Sequence, residues 1–315
     1  MSKSFKILIT DSIHDFFIEE MKLLGCEVDY RSEIDREEVL KIIHEYNILL
    51  VNSRIKADKE LIEKGINLKA IARIGSGLEV IDLEASAQRN IKCINAPEGN
   101  KDAVAEHALG MLLCLLNNIH IANAEVKNGL WQREKNRGTE LGGKTIAIIG
   151  YGCNGSAFAE KLKGFGVKIL AYDKYKKGFG NEYVKESTLE EIFSEAEIVS
   201  LHLPLTQETH HFVNKPFILS FSKHFYFLNM ARGKLVNTNA LIDALKEKKV
   251  LGACLDVLEN EKLNTLTTQE QQDFQQLIKM ENVLLTPHIA GWTYQSKIKI
   301  AQQLATKLKN VLSYF

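Results

Sequence analysis

The chain lacks a net charge, because its 315 residues include 40 Lys and Arg and 40 Asp and Glu. It therefore lacks the basic excess that is typical of nucleic-acid binders and of proteins held on membranes by polybasic attraction. Only 4 residues are proline, which argues against proline-rich linkers and collagen-like segments. The length predicts about two domains of roughly 150 residues each. We expect a globular protein with neither a nucleic-acid nor a membrane partner.

Cysteine is also sparse, and long apolar runs are missing. The five cysteines include no CxxC pair and no nearby histidine at zinc-ligand spacing, which indicates neither a metal site nor a disulfide framework. The longest apolar run, Met111–Leu116, is far shorter than the roughly 18 residues of a membrane span. Phe5–Ile9 is too short for the core of a signal peptide. These absences predict a cytoplasmic protein with reduced thiols and no metal.

Short β-rich runs alternate with helical segments along most of the chain. In the first third such runs include Phe5–Thr10, Ile48–Val51 and Ala70–Ile74, each followed by a helical pattern. The alternation resumes later, with strand candidates at Thr145–Gly150, Lys168–Asp173, Glu197–Leu203, Phe225–Met230, Leu251–Val257 and Val283–Thr286. Strands separated by helices of this length predict parallel βαβ units, and so an α/β fold.

The stretch Asp102–Gly129 interrupts this alternation. It is rich in Ala, Leu and Met, contains no proline, and ends at Asn128–Gly129. Its apolar surface is too broad for a simple amphipathic surface helix. We expect a buried helix that crosses between domains or forms a subunit contact, and the alternative is a core helix within one domain.

A glycine-rich loop follows the run that begins at Thr145. Gly150, Gly152 and Gly155 form GxGxxG directly after an apolar strand and before a helix, where a pyrophosphate can approach the backbone and the helix N-terminus. The next strand ends at Asp173, where a carboxylate would bind ribose hydroxyls and repel a 2′-phosphate. This pattern predicts NAD binding. Nearly half of the chain precedes the loop, so we expect the nucleotide domain to be inserted between two pieces of another domain.

Polar side chains follow three later strands, at the edge where ligands of open parallel sheets bind. Arg232, Glu261 and His288 come after successive strands, and Asp256 lies at the end of one of them. Arginine can hold a carboxylate through two parallel hydrogen bonds, and histidine can carry the proton that accompanies a hydride. A carboxylate beside histidine favours its charged form. The set suits the reduction of a 2-keto acid.

The chain resembles the D-isomer-specific 2-hydroxyacid dehydrogenase family, and within it the phosphoglycerate dehydrogenase branch. The segments that carry the resemblance are Ala72–Asp82, Asn95–Asn100, Val104–His107, Asn229–Gly233, Leu255–Val257 and Thr286–Ile289. The resemblance covers nearly the whole chain. It implies two doubly wound parallel-sheet domains, of Rossmann and flavodoxin-like type, with a cleft between them. Residues 1–100 with 291–315 would bind substrate, residues 101–290 would bind NAD, and the 101–129 helix region would form a homodimer.

The resemblance also implies roles for individual residues. Arg232 would bind the substrate carboxylate, His288 would be the acid/base, Glu261 would pair with it, and Asp256 would hold the nicotinamide amide. The other implied cofactor contacts are Gly150, Gly152, Cys153, Asn154, Gly155, Val104, Asp173, His202, Pro204, Thr206 and Ala231. The implied substrate contacts besides Arg232 are Asn52, Ser53, Arg54, Ser76, Gly77 and Asn100.

The chain departs from the family pattern at several of these positions. Cys153 and Asn154 stand where the phosphate loop usually carries Arg and Ile. Asn52 stands where phosphoglycerate dehydrogenases usually have an arginine for the substrate phosphate, which Arg54 or Arg133 could replace. No regulatory ligand-binding domain is expected, and so no serine feedback through one. The favoured substrate is 3-phosphoglycerate, with hydroxypyruvate or glyoxylate as the alternative, and an NAD-sensing corepressor is the competing function of another class.

Overall fold

The computed structural model describes residues 4–314. The chain divides into two compact units. The first unit consists of the residues up to Lys101 together with those from Trp292 onwards, and the second consists of Asp102–Gly291. Each unit contains one parallel β-sheet.

The sheet of the first unit has five strands in the order β2-β1-β3-β4-β5, all parallel. The strands are β1 (Lys6–Ile9), β2 (Glu27–Tyr30), β3 (Ile48–Val51), β4 (Ala70–Arg73) and β5 (Lys92–Ile94). The helices are α1 (Asp15–Leu23), α2 (Arg36–Ile42), α3 (Lys59–Lys64), α4 (Leu83–Gln88) and, from the C-terminal part of the chain, α12 (Tyr294–Leu312). This strand order is the flavodoxin-like form of the doubly wound fold.

Each face of this sheet has its own core, because successive strand residues point to opposite faces. Ile7 and Ile9 pack on one face with side chains of α1 and α12. Leu8 packs on the other face with side chains of α2 and α3. A sheet covered on both faces accounts for the uninterrupted apolar sequence of β3.

The sheet of the second unit has seven parallel strands in the order β12-β11-β10-β9-β6-β7-β8. The strands are β6 (Thr145–Ile149), β7 (Lys168–Tyr172), β8 (Val184–Glu186), β9 (Ile198–Leu201), β10 (Phe225–Asn229), β11 (Val250–Leu255) and β12 (Val283–Leu285). The α-helices between these strands along the chain are α7 (Cys153–Leu162), α8 (Leu189–Glu195), α9 (Lys215–Leu219), α10 (Thr238–Lys246) and α11 (Thr268–Leu277). The strand order reverses between β6 and β9, which is where doubly wound sheets bind their ligands. The predicted fold class, two doubly wound parallel sheets, is confirmed.

The stretch expected to form one long helix forms two. These are α5 (Pro97–Leu116) and α6 (Ile119–Lys127), bent by 63° where Asn118 adopts a left-handed conformation, φ 51°. Ala105, Ala108 and Leu112 of α5 are buried in the core of the second unit, although the helix begins at Pro97, within the first unit. Within residues 4–314 no single helix is long and apolar enough to cross a membrane, and only this bent pair, taken together, satisfies that length and composition.

Candidate active site

The glycine-rich loop joins β6 to α7, is tightly packed at Gly150 and Gly155, and is open at Gly152. Gly150 has φ +94°, and a Cβ there would lie 2.6 Å from the carbonyl oxygen of His202. A Cβ on Gly155 would lie 2.1 Å from the carbonyl oxygen of Gly150, so this glycine allows α7 to pack against β6. A Cβ on Gly152, in contrast, would have no neighbour within 4 Å. The open space at Gly152 fits the approach of a dinucleotide pyrophosphate.

The start of α7 also offers hydrogen-bonding groups to a ligand. Gly152 is the N-cap residue and provides no side-chain acceptor for the first N–H groups of α7, which begins at Cys153. Such N–H groups and the positive end of the helix dipole favour an anion. The buried amide oxygen of Asn154 has no hydrogen-bond partner among the described residues. A polar ligand at this loop would therefore meet groups that the protein leaves unsatisfied.

Asp173 lies at the end of β7, next to the glycine-rich loop. Its carboxylate accepts hydrogen bonds from the backbone N–H groups of Tyr151, Tyr175 and Lys176, at 2.9, 2.9 and 3.0 Å. Partial burial alone would raise the pKa of Asp173, but these hydrogen bonds outweigh it and lower the pKa. The carboxylate is thus held ionised against the loop. Its predicted contact with the ribose stays a prediction.

Three of the implied cofactor contacts, His202, Pro204 and Thr206, follow β9, which pairs with β6. The ring of His202 lies 2.9 Å through Nε2 from the hydroxyl of Ser200, and burial lowers the pKa of His202 to about 4. The ring is therefore neutral at pH 7. Beyond it the Thr209 hydroxyl donates to the carbonyl of Pro204 at 2.7 Å, and the N–H of Thr206 donates to that hydroxyl at 2.8 Å. These bonds close the loop after β9 into a tight turn.

Arg232 follows β10 in a loop held by the buried side chain of Asn229. The Asn229 amide donates to the carbonyl of Arg232 at 2.9 Å and accepts from the N–H of Ala231 at 3.0 Å. A Cβ on Gly233 would lie 1.8 Å from the carbonyl oxygen of Leu258, so this glycine lets the loops after β10 and β11 touch. The close approach brings the arginine loop against the loop that carries Glu261.

Glu261 and His288 form a hydrogen-bonded pair. Nδ1 of His288 lies 2.9 Å from Oε2 of Glu261, and both side chains are nearly half exposed, at 46% and 44%. Because a carboxylate only accepts hydrogen bonds, Nδ1 of the imidazole is the donor, and Nε2 is directed away from Glu261. His288 has φ +56°, a left-handed conformation that is uncommon for a residue other than glycine.

The carboxylate of Asp256 is buried and shapes the loop that carries His288. It accepts hydrogen bonds from the Thr286 hydroxyl at 2.6 Å and from the backbone N–H groups of Ile289 and Ala290 at 2.8 Å each. The backbone carbonyl of Asp256 also accepts from the N–H of His288 at 2.8 Å. The predicted contact between Asp256 and the nicotinamide amide stays a prediction. A cavity of about 380 Å³ opens beside Glu261 and His288 within this unit.

The first unit brings some of the predicted substrate contacts together. The Ser76 hydroxyl donates to the side-chain oxygen of Asn100 at 2.6 Å, and Gly77 follows in the same loop after β4. Gly75 is required there, because it has φ +142° and a Cβ on it would overlap the guanidinium of Arg73. The Ser76–Gly77 loop is thus packed over an arginine.

Arg54 is engaged elsewhere in the first unit. Its guanidinium donates to the backbone carbonyls of Thr10 at 2.9 Å, Ile34 at 3.2 Å and Ser32. Within residues 4–314 the guanidinium of Arg54 makes no hydrogen bond to Asn52 or Ser53, which follow β3 directly. These bonds tie Arg54 to the loops of its own sheet, and a substrate phosphate would have to compete with them. The predicted role of Arg54 therefore finds no support in its hydrogen bonds.

Three polar residues near these loops were not predicted from the sequence. Arg73 underlies the Ser76–Gly77 loop, His107 contacts Thr286, and the amine of Lys176 donates to the carbonyl of Tyr151 at 3.1 Å. Arg73 and His107 lie within segments that carry the family resemblance, which was the signal available for them. Lys176 lies three residues beyond a predicted strand end, where the sequence gives no spacing rule.

Comparison with known proteins identifies the family. Residues 109–290 match the family described as "D-isomer specific 2-hydroxyacid dehydrogenase, NAD binding domain". The chain is 36% identical to the hydroxypyruvate reductase of Thermotoga maritima, over 90% of each chain. It is 35% identical to the D-3-phosphoglycerate dehydrogenase of Methanocaldococcus jannaschii, over 98% of this chain and 57% of that protein. The chain thus spans little more than half the length of the phosphoglycerate dehydrogenases that it matches.

Solved structures agree with this comparison. The crystal structure of D-lactate dehydrogenase from Aquifex aeolicus, complexed with NAD and lactic acid, has a TM-score of 0.84 to this chain at 29% identity. That similarity covers 98% of this chain and 95% of the other. An acyclic imino acid reductase in complex with NADPH and D-Arg has a TM-score of 0.85 at 26% identity, over 98% of this chain and 97% of the other. The chain belongs to the D-isomer specific 2-hydroxyacid dehydrogenase family.

Proposed function

We propose that the protein is an NAD-dependent dehydrogenase of D-2-hydroxy acids, in which Arg232, Glu261 and His288 act on the substrate. The observation that carries this proposal is the 2.9 Å pair of His288 and Glu261, in the loops that follow β12 and β11. The glycine-rich loop follows β6 of the same parallel sheet, so all three loops lie at one edge of that sheet. A histidine paired with a carboxylate is suited to hold and release a proton near neutral pH.

Arg232 is proposed to bind the carboxylate of the substrate. A guanidinium presents donors in a planar fork that matches the two oxygens of a carboxylate. The hydrogen bonds of Asn229 fix the backbone at Arg232, so less conformational entropy is lost when substrate binds. The predicted contact of the Ser76–Gly77 loop with the substrate carboxylate stays a prediction.

His288 is proposed to move the proton. In the reductive direction, a 2-keto acid, NADH and a proton give a 2-hydroxy acid and NAD⁺, and bound NADH supplies the hydride to C2. Nε2 of a protonated His288 donates its proton to the oxygen on C2 as the carbonyl is reduced. Glu261 accepts the hydrogen bond from Nδ1–H, so the ring keeps its orientation during the transfer.

The proposed substrate is 3-phosphoglycerate, oxidised to 3-phosphohydroxypyruvate, and the protein would then act in serine biosynthesis. Phosphoglycerate dehydrogenases of several organisms match the chain at 30–35% identity over 97–98% of its length. Reduction of hydroxypyruvate or glyoxylate is the second candidate. It is favoured by the hydrogen bonds that tie Arg54 to backbone carbonyls, because a substrate phosphate would have to compete with them.

The 101–129 region is proposed to form a homodimer. Ile119 and Val126 of α6 are about half exposed, as is Leu130 just beyond it, and Trp131 is 79% exposed. Large apolar side chains that are exposed in one contiguous stretch of chain are typical of a surface that another chain covers. We expect the dimer to be cytoplasmic.

A panel of 2-keto acids tests the function. Each of 3-phosphohydroxypyruvate, hydroxypyruvate and glyoxylate is supplied with NADH, and loss of NADH absorbance is followed together with the chirality of the product. Faster turnover of the phosphorylated acid, giving a D-hydroxy acid, is the expected result. Preference for hydroxypyruvate or glyoxylate would select the second candidate. NADH binding without turnover of any acid would refute the dehydrogenase and favour the NAD-sensing corepressor.

A further inference from the structure

One histidine outside the predicted site is hydrogen-bonded to the residues that shape it. His107 lies on α5 and is half-buried, and its Nε2 is 3.0 Å from the hydroxyl oxygen of Thr286. Thr286 follows β12 and comes two residues before His288. The contact therefore joins a helix to the loop of the proposed acid/base across 179 residues of sequence.

The direction of each hydrogen bond follows from counting protons. The Thr286 hydroxyl has one proton, and its oxygen lies 2.6 Å from Oδ1 of Asp256, a distance typical of a hydroxyl that donates to a carboxylate. The sulfur of Met111, at 3.6 Å from the same oxygen, is a weaker acceptor. Because the proton points to Asp256, the hydroxyl oxygen must accept from His107. His107 therefore carries its proton on Nε2.

Asp256 transmits this contact to His288. Its carboxylate is buried and accepts from Thr286 and from the backbone N–H groups of Ile289 and Ala290, which follow His288 directly. These bonds surround the left-handed residue His288, whose φ of +56° needs support from its neighbours. Loss of the Thr286 bond would leave Asp256 with two donors in a site that water does not reach.

We propose that His107 is a positioning residue for His288, acting through Thr286 and Asp256. The hydrogen bond from His107 orients the Thr286 hydroxyl, that hydroxyl fixes the Asp256 carboxylate, and the carboxylate holds the loop that aims the His288 ring. His107 does not touch the substrate. This proposal rests on the proposed function, because it assigns the chain of bonds to the aim of the same acid/base.

Replacement of His107 tests the proposal in the full chain. We expect His107→Ala to lower kcat by about tenfold, as a small misplacement of a reacting group does. The KM of the keto acid should stay within about twofold, since the groups proposed to bind it are unchanged. His107→Gln, whose amide nitrogen can donate from a similar position, should recover most of kcat. His224→Ala is the matched control, because His224 is another hydrogen-bonded histidine of the second unit, and its ring donates to the backbone carbonyl of Lys248, away from this loop.

The outcomes separate this proposal from the proposed function. Absence of turnover in the unaltered protein would refute the function itself. Turnover that is equal in the unaltered protein and in His107→Ala would refute the positioning role alone, as would failure of His107→Gln to exceed His107→Ala.

A second measurement needs neither a variant nor a substrate. Long-range ¹H–¹⁵N correlation spectra of the unaltered protein distinguish a histidine protonated on Nε2 from one protonated only on Nδ1. We expect the pattern of an Nε2-protonated ring for His107. An Nδ1–H tautomer would overturn the proposal even if His107→Ala fails to fold.

Discussion

Gly152→Ala should separate cofactor binding from folding. The free energy of unfolding should change little, since the new Cβ has no neighbour within 4 Å and the φ of −88° is accessible to alanine. Alanine restricts the unfolded chain, which stabilises the protein by about 0.4–1 kcal/mol. It is also a poorer N-cap residue than glycine, which costs about 0.5–1 kcal/mol. The two effects nearly cancel, and we expect the melting temperature to stay within about 3 °C of its starting value.

The affinity for NADH should fall much more. The methyl group would occupy the open side of the loop, where the pyrophosphate is expected to approach the backbone. We expect the Kd for NADH to rise at least about tenfold, equivalent to a loss of about 1.4 kcal/mol. Calorimetric titration with NADH and thermal unfolding of the same samples measure the two quantities.

Two further glycines serve as controls. Gly155→Ala should destabilise the fold itself, because its Cβ would lie 2.1 Å from a backbone oxygen. Gly164→Ala also places its Cβ in open space, but outside the loop, so it should leave the NADH affinity unchanged and raise the stability by no more than about 1 kcal/mol. Unchanged NADH affinity in Gly152→Ala would refute the assignment of this loop to the pyrophosphate.

Three other substitutions are informative. The pKa of His202 is lowered to about 4, so its contribution to stability is complete above pH 6.5 and is lost as the pH falls towards 4. In denaturant titrations at several pH values, His202→Asn should remove up to about 3 kcal/mol of the pH dependence of the free energy of unfolding. An unchanged pH dependence would contradict the lowered pKa of His202. Asp173→Ala should raise the ratio of NADPH to NADH affinity, and an unchanged ratio would exclude a ribose contact. Gly233→Ala should abolish turnover, because its Cβ would overlap the carbonyl oxygen of Leu258 and separate the loops that carry Arg232 and Glu261, while NADH binding is retained. Full activity would show that these two loops need not touch.

The regular parts of the fold could be predicted from the sequence. Parallel strands buried on both faces, such as β3 and β6, are continuous apolar runs bounded by polar or glycine residues. The glycine-rich loop was found because its spacing reflects close backbone approaches, which the Cβ distances at Gly150 and Gly155 bear out. The residues after β10, β11 and β12 were found because the ends of parallel strands share one edge of a sheet.

Other features depend on contacts that a sequence does not display. β8 was missed because its sequence, Val-Lys-Glu, contains no apolar run, and only its pairing with β7 makes it a strand. The bend between α5 and α6 occurs at Asn118, which adopts a left-handed conformation without a glycine or a proline to indicate it. The hydrogen bonds of Arg54 to the carbonyls of Thr10 and Ile34 also join residues far apart in sequence, and the predicted contact of Arg54 with substrate stays a prediction.

The central claim is that His288 transfers the proton in a dehydrogenase, and His288→Asn tests it most directly. Asparagine tolerates the left-handed conformation of this position, so the fold and the NADH affinity should be retained. We expect kcat for the best keto acid to fall by about 10²–10⁴-fold, the usual contribution of a positioned acid or base. Turnover within about threefold of the unaltered protein, with NADH still bound, would contradict the account.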